Sequence, residues 1–125
     1  MKKLSFFSAL ASCFLVVGLA ACNHHGNVEI KVSEDENIYK MTSYFDVNKT
    51  HNVQQYMNDR LGKKNHFSFS NTEMDANLTL ENNTTFYIKS APGKLEIKMD
   101  KEQNSGQGIA EVKEMCEGLK HVLAK

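Results

Sequence analysis

The 125-residue sequence has no tryptophan, one proline and three cysteines. Its 15 basic and 15 acidic side chains cancel, and no block of like charge stands out. A chain without a basic stripe lacks the electrostatic footprint of a nucleic-acid partner. A chain without a charged run has no acidic or basic arm. Also missing are the short motifs that carry common chemistries: no H-E-x-x-H, G-x-S-x-G, C-x-x-C or P-loop occurs. There is no internal repeat and no low-complexity segment. The composition, 41% apolar, is that of an ordinary globular chain.

What the sequence does have is concentrated at its start. Lys2 and Lys3 precede an apolar run from Leu4 to Gly18, and Leu19-Ala20-Ala21-Cys22 closes it. A positive start, an apolar middle and small residues before a cut are the layout of an export signal. The run is near the minimum length of a membrane span, but Ser5, Ser8 and Ser12 interrupt it.

Leu19-Ala20-Ala21-Cys22 resembles the lipobox of bacterial lipoproteins, and the resemblance covers residues 1–22. It implies a signal peptide over 1–21, lipid on the Cys22 sulfur, and a mature chain that begins at an acylated Cys22. Several acyl chains on one cysteine hold a protein on a membrane essentially permanently, since each buried methylene adds about 0.8 kcal/mol. The alternative is an ordinary secretory cut. After Ala21 it would put Leu19 at the third position back, where a small residue is usual; after Ala20 it would put Gly18 there. Asn23, where an Asp resembles an inner-membrane retention signal in enteric bacteria, favours the outer membrane of the cell envelope.

Loss of Lys2 and Lys3 leaves 13 basic against 15 acidic residues, a net charge near −2. Cys13 leaves with the signal and Cys22 carries lipid, so Cys116 stands alone and no internal disulfide is available. Residues 22–27 are the acylated position and a short polar tether. Its five residues from Asn23 to Asn27 reach at most about 18 Å. Residues 28–125 then read as a single domain, whose length can bury roughly two thirds of its unfolded surface.

Val28 to Val32 alternates apolar with charged residues and predicts a strand. Glu34-Asp35-Glu36-Asn37 is a polar turn, and Ile38 to Phe45 a second strand. Val53, Tyr56, Met57 and Leu61 recur at helical spacing behind the capping candidates Asn48-Lys49-Thr50, with Gly62 at a usual stopping place. This predicts a helix over about 50–61.

Four short alternating stretches follow: Phe67 and Phe69; Ala76 to Leu80; Phe86 and Ile88; Leu95 to Met99. Asn82-Asn83 suits a two-residue hairpin loop, and Ala91-Pro92-Gly93-Lys94 a type II turn. Ser105-Gly106-Gln107-Gly108 reads as a flexible break. Ile109, Val112, Met115, Cys116, Leu119, Val122 and Leu123 then form the stripe of an amphipathic helix over about 109–124. The expected fold is α+β, order ββαββββα. One antiparallel sheet of about five to six strands carries both helices on its apolar face.

Candidate chemistries are few. His24-His25, His51, His66 and His121 fall at no zinc-ligand spacing, and no metal or cofactor is expected. Cys116 lies on the apolar helical stripe, which suits packing and not nucleophilic work. Glu34-Asp35-Glu36 lacks the loop length that calcium needs. The polar sheet face remains, with Thr79, Thr85, Tyr87, Lys89, Glu96 and Lys98 as contact residues. The reading is a membrane-anchored, non-enzymatic binding or accessory module with an envelope protein as partner. The alternatives are an inhibitor or immunity-type lipoprotein, or a small enzyme built without a common motif.

Overall fold

A computed structural model describes residues 28–70 and 73–125. The lipobox, Cys22 and the tether with His24 and His25 lie outside the described residues. Five strands form one antiparallel sheet: β1 Glu29–Glu34, β2 Ile38–Tyr44, β3 Met74–Thr79, β4 Thr85–Ala91 and β5 Lys94–Asp100. Their spatial order is β1-β2-β5-β4-β3. Helix α1, Thr50–Met57, leaves β2 through a 3₁₀ turn at Val47–Lys49, and helix α2, Gly106–Ala124, ends the chain. The fold is α+β, with both helices on one face of the sheet.

Period-two patterning decides which face is covered. Tyr39 and Met41 of β2, Leu95, Ile97 and Met99 of β5, and Phe86 and Ile88 of β4 are all buried. Register aligns them, with Met41 opposite Ile97 and Ile97 opposite Ile88. Val53 and Met57 of α1 and Val112, Met115, Cys116, Leu119 and Leu123 of α2 close the same core. Each large side chain removed from water in this way contributes about 1.5–3 kcal/mol. The buried Ser43 hydroxyl stays satisfied by donating to the Leu95 carbonyl at 3.1 Å.

The stretch of Phe67 and Phe69 belongs to the core without pairing in the sheet, so three strands follow α1. Phe69 is buried, and its backbone N–H donates to Asn58 Oδ1 at 2.7 Å, a side-chain partner in place of a strand. Gly62 is not a helix stop. The helical path widens into a π turn at Asn58–Gly62 and continues through Lys63–Asn65, ending where His66 takes a φ of 63°. A Cβ on Gly62 would lie 2.9 Å from the Phe67 carbonyl oxygen, so glycine lets the returning chain lie against the turn.

The other turns follow their residues. Asp35 Oδ1 accepts from the N–H groups of Asn37 and Ile38 at 2.8 and 2.7 Å, closing the β1–β2 hairpin. Asn83, with a φ of 70°, closes a three-residue loop between Leu80 and Thr84, one residue longer than Asn82-Asn83 alone suggests. Gly93 takes a φ of 76°, as the third residue of a type II turn requires. The expected break at 105–108 is instead the start of α2. Ser105 Oγ accepts from the Gly108 N–H at 3.0 Å and caps the helix.

Candidate functional site

The uncovered face of the sheet carries the side chains of alternate positions on all five strands. Register sets them in rows. Lys40 faces Lys98, and Lys98 faces Tyr87. In the next row Thr42 faces Glu96, Glu96 faces Lys89, and Lys89 faces Asp75. Thr79 and Thr85 stand opposite each other with hydroxyls 3.4 Å apart. The six residues singled out from the sequence, Thr79, Thr85, Tyr87, Lys89, Glu96 and Lys98, therefore share one surface across β3, β4 and β5.

Charge on this surface is arranged around Glu96. Its carboxylate lies 3.8 Å from Lys40 Nζ and 3.9 Å from Lys94 Nζ. This offsets the like-charge opposition of Lys40 and Lys98. The Tyr87 hydroxyl donates to Asp75 Oδ1 at 2.9 Å, and that hydrogen bond raises the tyrosine pKa. Lys94 Nζ sits 5.6 Å from the centre of the Tyr44 ring. Lysines, hydroxyls and an aromatic ring can hold a polar or acidic partner surface. No histidine or cysteine stands among them to act as base or nucleophile.

On the helix side the titratable groups are tied into the fold. Glu34, on the same face as Ile30 and Val32, receives both Lys101 Nζ and Lys113 Nζ at 2.6 Å. Partial burial works against its charge, but the two lysines outweigh it and lower its pKa. Asp35 is held low by the N–H groups of Ile38 and Asn37. The acidic run 34–36 thus diverges: Glu34 turns to the lysines and Asp35 to the backbone.

Cys116 is fully buried and shares a hydrogen bond with the Tyr39 hydroxyl. Burial pushes its thiol up to about 12 despite that bond, which leaves a packed and unreactive group. His51, His66 and His121 are exposed and sit on separate elements. Among the described residues, no three histidine, cysteine or carboxylate side chains converge to hold a metal. A recess between Leu61, Leu80, Phe86, Val112 and Met115, with Arg60 and Glu111, has a volume of about 10 Å³. That is room for about one water.

Two features escape sequence reasoning. Asn104 stitches β4 to the segment after β5: its Oδ1 accepts from Thr85 N–H at 2.8 Å, and its Nδ2 donates to the Thr85 and Asp100 carbonyls at 2.9 Å. A lone asparagine between two polar residues gives no signal of this. Glu34 did carry a signal, because period two places it with Ile30 and Val32 and not with the solvent-facing residues. No helix among the described residues is long and apolar enough to cross a membrane. No protein-family model, no curated protein and no solved structure matches this chain.

Proposed function

We propose that the protein is a lipid-anchored module of the bacterial envelope that binds an envelope protein through the uncovered sheet face. The observation that carries this reading is the contiguous surface formed by Thr79, Thr85, Tyr87, Lys89, Glu96 and Lys98, on the side of the sheet opposite both helices. The lipobox resemblance at Leu19-Ala20-Ala21-Cys22 supports the anchor, and Asn23 after it the outer-membrane address.

Two measurements test it. Cys22→Ala abolishes acylation and moves the protein out of the membrane fraction; retention there would make the apolar run itself the anchor. A photo-crosslinking residue at Lys89 or Lys98 captures a stoichiometric envelope partner, whereas one at Glu117, exposed on α2, does not. Equal capture from both sides would count against the sheet face.

A further inference from the structure

The two exposed large hydrophobic side chains among the described residues, Tyr44 at 43% and Val47 at 62%, lie at one pole of the molecule. The chain enters the fold at that pole. Val28 leads into Glu29, and Glu29 stands opposite Tyr44 in the sheet. The β4–β5 turn is there too: Phe45 N–H donates to the Gly93 carbonyl at 3.0 Å, and a Cβ on Gly93 would lie 3.5 Å from Val47 Cγ2. Lys49 Nζ reaches the Leu123 carbonyl at 3.0 Å, which brings the end of α2 to the same place.

The geometry points to this pole as the surface on which the domain rests on the bilayer that holds its acylated cysteine. The inference rests on the lipoprotein reading. Five residues, Asn23 to Asn27, separate Cys22 from Val28 and reach at most about 18 Å. Whatever lies beside Glu29 is thereby held near the headgroups. Tyr44 and Val47 suit that depth: a tyrosine keeps its hydroxyl wet and its ring in the interfacial layer. Lys94, over the Tyr44 ring, can keep its ammonium group near phosphates while its stem lies on the apolar side. Glu29 and Asp46 lie here as well, so the contact is aromatic and apolar and does not depend on anionic lipid. It orients a protein that the acyl chains already hold. The strands then stand away from the membrane. Lys98 is four residues along β5 from Lys94, roughly 13 Å further out at strand rise, so the row of Lys98 and Tyr87, and Thr79 and Thr85 beyond it, clear the headgroups, with Lys89 and Glu96 nearer, roughly 7 Å out.

The natural chain has no tryptophan, so a single introduced one reports on its own position. Full-length acylated Tyr44→Trp, Val47→Trp and Tyr87→Trp proteins are reconstituted into phosphatidylethanolamine–phosphatidylglycerol vesicles, with and without brominated acyl chains. Acylation is read from the mass of the Cys22 peptide and from vesicle flotation. Seating at the pole gives blue-shifted emission at 44 and 47 and quenching at least about threefold stronger than at 87, since interfacial side chains sit within roughly 5–10 Å of the acyl boundary. Acylated, floating protein with equal quenching at all three sites, or with 87 quenched most, overturns the seating and leaves the anchor standing. An unmodified Cys22 in protein that does not float overturns both.

Discussion

Tyr56 of α1 crosses α2 at Gly118, where a Cβ would come within 2.2 Å of the tyrosine hydroxyl. That hydroxyl donates to the Met115 carbonyl at 2.8 Å, which joins the two helices directly. Glycine in mid-helix costs about 1 kcal/mol against alanine. The close approach of the ring is what that cost secures.

Gly118→Ala therefore destabilises the protein by about 1–3 kcal/mol, against the sign that helix propensity alone gives. Tyr56→Phe costs about 1 kcal/mol through the lost hydrogen bond. The double variant loses less than the sum of the two, because the phenyl ring lacks the atom that meets the new methyl. Urea unfolding of the four proteins measures the coupling; simple additivity would refute it.

Acid sensitivity centres on the β1–β2 turn. Glu34 and Asp35 both have folded pKa values below their ordinary 4.5 and 3.8. A carboxyl lowered in the fold stabilises it fully above its unfolded value and loses that contribution as pH falls through the folded one. Glu34→Gln lowers stability at neutral pH by roughly 0.5–1 kcal/mol, after allowance for solvent screening of a partly exposed pair. The gap between variant and natural protein closes in acid, as pH falls below 4.5 and through the lowered folded value. Unfolding curves at the two pH values test this, and a gap that persists in acid would assign the effect to packing.

Cys116 is the one cysteine among the described residues. With the side chain fully buried and its pKa pushed up to about 12, alkylation in native conditions runs about 10³-fold or more slower than for an exposed thiol. Denaturant restores the ordinary rate. A fast native reaction would place the thiol at a surface.

Ser105→Ala removes the acceptor for the Gly108 N–H and costs about 1 kcal/mol, whereas Ser105→Asp keeps the cap. Thermal midpoints of both variants distinguish a cap from a passive linker residue.

These elements differ in how far the sequence announces them. β2, β4 and β5 are plain because a strictly alternating pattern has one way to meet a core, and the stripe of α2 is plain for the same reason. Phe67 and Phe69 alternate too, but Asn58 takes the backbone N–H of Phe69, and a sequence does not show which polar group will do so. Gly62 reads as a helix end and Gly108 as part of a break, while Gly118 passes unmarked inside the predicted helix. Each is placed by what lies against it: a backbone carbonyl, Thr84 and Tyr56. The surface residues of β3, β4 and β5 could be assigned to one face by period alone, whereas the centring of charge on Glu96 depends on register with β2.

The strand order has a consequence for how the molecule is made. β2 lies between β1 and β5, yet β5 is the last strand synthesised, and Ser43 meets Leu95 across 52 residues of chain. A chain that emerges amino end first presents the β1–β2 hairpin long before its neighbour exists, and an isolated hairpin is marginal in water. Closing the sheet therefore waits for residues 94–100. That pairing is a long-loop closure, which slows folding, and the exposed edge of β2 is open to wrong pairing until it is complete.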